Sequence, residues 1–214
     1  MATSDNPRIA ALITVALVAI TAGALITVSY ELSRDRIAAN QRNRLLAALH
    51  EVLAPDSYDN DLEASRRSIV APDLLGTNDP LDVFIATHSG EPVAAIFTSI
   101  APRGYNGPIG LLVGIRADGT VTGVRVTRHR ETPGLGDAIE LAKSSWIRGF
   151  TGRRLDAPAL ANWRVTKDGG DFDAITGATV TPRAIVEAVR DTLIYFRDNS
   201  ATLFATTAGR DADD

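Results

Sequence analysis

The sequence predicts an α+β protein in which helices pack against an antiparallel sheet and an apolar helix precedes the sheet. In the middle of the chain, four segments have strand-like periodicity and are joined in pairs by Gly- and Asp-containing turns. Near the C-terminus, apolar residues recur at helical spacing, and close to the N-terminus lies a long uncharged run. The 214 residues therefore suit one membrane segment and one compact domain with its own core.

The uncharged run covers residues 9–30 and follows a short N-terminal segment, residues 1–8. A helix rises about 1.5 Å per residue and the hydrocarbon core of a bilayer is roughly 30 Å thick, so the run is long enough to span it. A cleavable signal peptide is the alternative, since Ala22-Gly23-Ala24 has the small-residue form of a cleavage site. Because the apolar run continues past that site, we predict a retained, single-pass transmembrane anchor over 9–30.

Residues 31–80 are predicted to form a helical stalk and a connecting segment. Apolar residues recur near helical spacing as far as residue 53, and Pro55 stands just past that point. Residues 54–80 are polar and contain three prolines, which favours connecting structure with a short helix or strand. Four arginines between residues 34 and 44 outweigh Arg8 before the anchor, so the positive-inside count puts the domain in the cytoplasm.

The domain proper is predicted over residues 81–200, ahead of an acidic C-terminal tail, residues 201–214. Its strands are expected at 82–87, 92–100, 110–116 and 121–128, paired as hairpins by the turns 88–91 and 117–120. After the strands we expect a helical stretch near 137–146, a loop at 150–158, a strand at 163–166 and a helix at 182–197.

Composition excludes several classes of function. The chain has no cysteine, which rules out disulfides, Cys-ligated iron–sulfur clusters and thiol catalysis. Its three histidines have no close ligand spacing and its only methionine is the first residue, so we expect no metal site. A net charge of −4 with no basic stripe argues against nucleic acid as a partner. Redox chemistry in this chain would need an added organic cofactor.

The stretch 173–182 sets three threonines around a Gly-Ala turn, directly ahead of an amphipathic helix. Pro182 suits the first helical position, which puts Thr181 at the N-cap, facing the unpaired N–H groups of the first turn. Such a helix start can hold a phosphate, because the helix dipole stabilises an anion by roughly 0.3 to 1 kcal/mol. The alternative is a plain threonine N-cap after a turn.

The string Thr176-Gly-Ala-Thr-Val-Thr181 resembles the [Ser/Thr]-Gly-Ala-Thr-x-[Ser/Thr] motif of the covalent FMN-binding domain, found in the G subunit of Rnf (Rsx) electron-transport complexes and the C subunit of Nqr complexes. Asp173 matches the acidic position before that motif, and His129-Arg-Glu-Thr-Pro-Gly-Leu-Gly136 resembles a second family segment. Thr176 stands where serine is commoner in the family. The resemblance implies that Thr181 carries FMN through a phosphoester.

The same resemblance implies the remaining cofactor-binding residues. Around the phosphate we expect Thr176, Gly177, Ala178 and Thr179, with hydroxyls or backbone N–H groups as donors. Against the isoalloxazine or ribityl chain we expect Glu131, Thr132, Leu135 and Gly136, with Gly104-Tyr-Asn-Gly107 beside the site. The sequence offers no base next to Thr181, and a threonine hydroxyl is a weak nucleophile without one. The family implies a separate, ApbE-like flavin transferase that loads the FMN.

The expected function is that of a membrane-anchored flavoprotein subunit of an Rnf-type complex, which couples ferredoxin and NAD redox chemistry to ion translocation beside other membrane subunits. The chain would pass electrons and would not be catalytic alone; it has no Gly-x-Gly-x-x-Gly fingerprint for NAD. The alternatives are an Nqr C-type subunit of a Na⁺-translocating NADH:quinone oxidoreductase, a regulatory or reductase protein with the same flavin domain, and a non-redox membrane-anchored scaffold or binding module. The family implies a bacterial inner-membrane location with the flavin domain on the periplasmic side, which the positive-inside count opposes.

Overall fold

The computed structural model describes residues 7–208, whose core is a five-stranded antiparallel sheet. The strands are β1 (Arg67–Ile69), β2 (Leu81–His88), β3 (Glu91–Ala101), β4 (Ile109–Arg116) and β5 (Val121–Arg128). The helices are α1 (Pro7–His50), α2 (Pro72–Leu75) and α3 (Val180–Ala208). Each strand pairs with the next one in the sequence, so the sheet is a meander. The α+β class and the four predicted strands are confirmed.

Turn chemistry favours the predicted hairpin of β2 and β3. Between β2 and β3, Ser89 and Gly90 both have positive φ, 53° and 80°, the combination that matches a two-residue turn to the twist of its strands. Across β2, β3 and β4 the register aligns Val83, Phe97 and Val113, and all three are fully buried. One face of the sheet is therefore apolar in a continuous row.

Helix α3 covers that apolar face. Phe196 packs edge-on against Phe97 with 6.1 Å between ring centroids, and the Thr192 hydroxyl donates to Ser99 Oγ at 3.0 Å. Ile185 and further apolar residues of α3 belong to the same buried cluster as the strand residues. This packing fixes the position of the first turn of α3 relative to the ends of the strands.

The other face of the sheet meets the chain just after α1. Gly114 and Gly123 are cross-strand partners, and a Cβ atom on Gly123 would lie 3.0 Å from the Val52 Cα atom. The Thr122 hydroxyl donates to the Val52 carbonyl oxygen at 2.6 Å. The two glycines thus let the backbone at Val52 approach the strands closely, which side chains would prevent.

Helix α1 includes the predicted anchor, residues 9–30, and the chain divides into two units between Leu45 and Leu46. Among residues 7–208, no helix meets the length and apolar character of a membrane span, so the predicted anchor is not confirmed. Helix α3 continues to Ala208, into the predicted tail, and residues 209–214 lie outside the described part of the chain, as does most of the N-terminal segment 1–8.

The segment between β5 and α3 differs from the sequence prediction. In place of a helix near 137–146 there are short 3-10 helices, Gly136–Ile139 and Trp146–Phe150. Ser144 Oγ accepts the Trp146 N–H at 3.0 Å, and such local side-chain bonds compete with a continuous helix. The strand predicted at 163–166 is also wrong: only Val165 pairs, through a single bridge to Phe172.

An aromatic cluster takes the place of regular structure in this segment. Phe150 is fully buried and stacks on Phe172 at 4.9 Å between ring centroids, and Trp163 lies 4.8 Å from Phe172. Trp146 packs edge-on against Phe150 at 5.5 Å, and its indole N–H donates to the Asp173 carbonyl oxygen at 2.7 Å. The cluster therefore holds the chain immediately before the 173–182 stretch.

Candidate functional site

The stretch 173–182 forms a turn followed by the start of α3. Ile175 and Ala178 bridge each other, and Gly177 between them has a φ of +80°, the conformation that a type II turn requires at its third position. The Ala178 N–H donates to the Ile175 carbonyl oxygen at 3.1 Å. That N–H group therefore closes the turn, and the expectation that Ala178 lies against a phosphate stays a prediction.

Thr181 lies within the first turn of α3 rather than at its N-cap. The helix begins at Val180, so Thr181 and Pro182 are its second and third residues. The N-cap prediction assumed that proline marks the first helical position, but none of the first four N–H groups of a helix has an intrahelical acceptor. Proline is consequently tolerated anywhere in that turn. Thr181 itself is 1% exposed.

The Thr181 hydroxyl donates a hydrogen bond to the Glu131 carboxylate through Oε2. Glu131 is 4% exposed and its other oxygen, Oε1, accepts the backbone N–H of Asn106 at 3.1 Å. The expectation that no base lies beside Thr181 is therefore wrong. The two residues are 50 positions apart, and β5 and α3 bring them together.

His129 orients the loop that carries Glu131. Its Nδ1 atom accepts the Glu131 backbone N–H at 3.1 Å, which assigns the ring proton to Nε2. Nε2 then donates to Glu140 Oε1 at 2.9 Å. In the sequence His129 has no close ligand spacing, so no local pattern indicates its contacts with Glu131 and Glu140.

Eight of the nine predicted site residues line one cavity of about 470 Å³. They are Glu131, Thr132, Leu135, Gly136, Gly177, Ala178, Thr179 and Thr181. The cavity is completed by Tyr105, from the 104–107 segment, and by Val180. Asn106 links that segment to the opposite loop, since its side-chain amide donates to Thr132 Oγ1 at 3.2 Å. The cavity thus has a buried hydroxyl on one wall and exposed apolar side chains, Leu135 and Tyr105, at its rim.

The ninth residue, Thr176, lines a neighbouring depression together with Trp146 and Lys167. The Lys167 ammonium lies 3.5 Å from Thr179 Oγ1, which brings a positive charge to a residue of the cavity. Thr176 is exposed and faces this second depression, so the structure separates it from the other predicted residues.

A second cation stands at the start of α3. Arg183 forms two hydrogen bonds of 2.5 Å to the two carboxylate oxygens of Asp168. These bonds hold the pKa of the Asp168 carboxyl below its ordinary value, so that carboxylate stays charged to lower pH. The pair ties the loop that carries Lys167 to the first turn of α3, and the pair itself adds no net charge near Thr181.

Gly177 is expected to be difficult to replace. An alanine there would keep the +80° φ at a cost of roughly 1–2 kcal/mol, and its Cβ would lie 2.9 Å from Leu135 Cδ2. We expect Gly177→Ala to lower the free energy of unfolding by about that amount, measured by urea denaturation. Gly149→Ala is the matched control, since its Cβ meets nothing within 4 Å; an equal loss in both variants would contradict the turn geometry.

The cavity, its buried hydroxyl and the turn at Gly177 belong to a known class of domain. Residues 104–194 match the family model of the FMN-binding domain, a range that includes all nine predicted site residues. Similar proteins identify which FMN-binding proteins this chain resembles. The chain is 43% identical to the G subunit of the ion-translocating oxidoreductase complex of Shewanella baltica, over 94% of both chains. It is 48% identical to the protein of the same name from Pseudomonas aeruginosa, over 88% of both, and 44% identical to that of Pseudoalteromonas atlantica, over 89% of both. The chain belongs to this family of G subunits.

Proposed function

We propose that this chain is the flavoprotein subunit of an Rnf-type ion-translocating oxidoreductase complex and carries electrons through one FMN joined by a phosphoester to Thr181. The FMN-binding domain match and the relatives named as G subunits support the flavin and the complex. The observation that carries the attachment site is the Thr181 hydroxyl, which is 1% exposed and lies on the wall of the 470 Å³ cavity.

The residues around the cavity fit a flavin phosphate. The backbone at Gly177 has no side chain to block the approach of a ligand. The dipole of α3 favours an anion near its first turn. Lys167 adds a cation 3.5 Å from Thr179 Oγ1. Leu135 and Tyr105 supply apolar surface at the rim for a planar ring. When bound, FMN supplies the electron-transfer chemistry that the chain's own side chains lack.

An Nqr C-type subunit and a non-redox scaffold are two of the alternatives. The relatives described above are all named as G subunits, at 43–48% identity over most of their length, which favours the Rnf type. A scaffold without a ligand would not require the buried Thr181 hydroxyl on a cavity wall, or a glycine at position 177 that lets a ligand approach the backbone. In this proposal the chain works with the other membrane subunits, and ferredoxin and NAD react elsewhere in the complex.

An experiment with the flavin transferase tests the flavin assignment. The full chain is expressed with and without an ApbE-like transferase, denatured, and viewed under ultraviolet light after electrophoresis. A covalent flavin survives denaturation, so we expect a fluorescent band only when the transferase is present. The activity of the transferase is checked on a second protein that is known to accept FMN. A dark band in the presence of active transferase would favour the non-redox scaffold.

Membrane attachment is part of the same proposal. Residues 9–30 carry no charge, which supports a single-pass inner-membrane anchor, and the family resemblance supports a periplasmic flavin domain. The arginines at 34–44 favour the opposite orientation. We expect protease to digest the flavin domain when it is added to spheroplasts and to leave the domain intact when it is added to inverted membrane vesicles. The reverse pattern would put the domain in the cytoplasm.

A further inference from the structure

The hydrogen bond between Thr181 and Glu131 suggests a role for this chain in its own modification. A threonine hydroxyl is a weak nucleophile until a base removes its proton. The Thr181 proton points at Glu131 Oε2, and both side chains are more than nine-tenths buried. A carboxylate in this position already accepts the proton that would have to leave when the oxygen forms a new bond.

The Glu131 carboxylate is held in place on both sides. A Cβ atom on Gly104 would lie 2.9 Å from Oε1, and a Cβ atom on Gly136 would lie 3.0 Å from Oε2. Oε1 also accepts the Asn106 N–H at 3.1 Å. The chain therefore keeps both oxygens closely enclosed by backbone, and the hydrogen bond to Asn106 directs Oε2 toward Thr181.

The two carboxylates that follow this loop in the sequence have other partners. Asp137 Oδ2 lies 3.3 Å from the Lys143 ammonium, and Glu140 Oε1 lies 2.9 Å from His129 Nε2. Among the residues that the structure describes, Glu131 is the carboxylate hydrogen-bonded to Thr181.

We propose that Glu131 is the general base for phosphoester formation at Thr181, an inference that rests on the proposed function. As the Thr181 oxygen attacks a phosphorus of a flavin dinucleotide held by the transferase, its proton passes to Glu131 Oε2. The bond from Oγ1 to phosphorus forms, the pyrophosphate P–O bond breaks, and the nucleoside monophosphate leaves. No oxidation or reduction takes place in this step.

The product state supports the same assignment. A phosphodiester on Thr181 carries a negative charge, and a buried carboxylate beside it would be repelled strongly. The proton taken from the hydroxyl neutralises Glu131 and turns it into a hydrogen-bond donor toward the new ester. The same proton transfer thus activates the Thr181 oxygen for attack and removes the repulsion between Glu131 and the phosphodiester in the product.

Steady-state loading kinetics test the proposal. The full chain in detergent is the varied substrate of the transferase at saturating flavin adenine dinucleotide and Mg²⁺, and loading is followed by intact mass. We expect Glu131→Gln to lower the kcat for loading by on the order of 10²–10⁴-fold while the KM for the chain stays unchanged. Glu131→Asp keeps a carboxylate on a side chain one methylene shorter, and we expect its kcat to lie between those of the wild type and Glu131→Gln.

The control is Glu91→Gln, which makes the same chemical change at an exposed position at the start of β3 and leaves the hydrogen bond between Thr181 and Glu131 in place. It is expected to load at the wild-type kcat. A wild-type kcat in Glu131→Gln, or equal kcat values for Glu131→Asp and Glu131→Gln, would overturn the role of Glu131 as base. Failure of the wild-type chain to load at all would instead refute the proposed function, so the two failures are distinguishable.

Discussion

Thr181→Ala is expected to abolish covalent flavin completely, because it removes the oxygen that forms the phosphoester. The variant keeps a helix-compatible side chain in the first turn of α3, so the domain should still fold. The measurement is in-gel fluorescence of the denatured chain after co-expression with the transferase, with circular dichroism as the check on folding. We expect a folded protein and a dark band.

Two matched variants define what that result means. Thr181→Ser keeps a hydroxyl at the same position and is expected to fluoresce. Thr166→Ala makes the same Thr-to-Ala change at an exposed position in the neighbouring depression, outside the 176–181 motif, and is expected to fluoresce like the wild type. A bright band from Thr181→Ala would move the attachment to another residue.

Phe150→Ala is expected to give the largest loss of stability, about 3–5 kcal/mol in the free energy of unfolding, as for other buried aromatic truncations. Phe150 is fully buried and its ring contacts those of Trp146 and Phe172, at 5.5 Å and 4.9 Å between centroids. Urea unfolding followed by tryptophan fluorescence suits this test, since both tryptophans of the chain pack in this cluster.

Leu160→Ala is the control for Phe150→Ala. Leu160 lies in the same irregular segment but is 49% exposed, so its truncation is expected to change the free energy of unfolding by less than about 0.5 kcal/mol. If Phe150→Ala lost no more than Leu160→Ala, the aromatic cluster would not be what holds the segment between β5 and α3.

Much of the fold follows from local sequence signals. The four long strands and their turns were predictable because Ser89-Gly90 and Gly119 mark turns between segments of strand periodicity. The segment 163–166 is not predictable in this way. Trp163-Arg-Val-Thr166 alternates apolar and polar residues as a strand does, but Trp163 and Val165 are buried in a core that includes an aromatic cluster, without joining the sheet.

The site divides in the same way. The turn residues and Pro182 predict that Thr181 lies near a helix start. The family resemblance predicts the residues on the opposite wall of the cavity, Glu131, Thr132, Leu135 and Gly136. The hydrogen bond from Thr181 to Glu131 was not readable, because it joins residues 50 positions apart and depends on how α3 packs on the sheet. The roles of Asn106 and His129 depend on the same packing, since each contacts Glu131 through a backbone or side-chain group that no spacing rule identifies.

The most direct test of the central claim is the mass of one peptide. Trypsin releases residues 168–183, which contain three threonines, Thr176, Thr179 and Thr181, and no serine. For the chain loaded by the transferase, we predict that this peptide is heavier by one FMN less one water and that fragmentation places the added mass on Thr181. An unmodified peptide from a fluorescent chain, or the added mass on Thr176 or Thr179, would contradict the assignment.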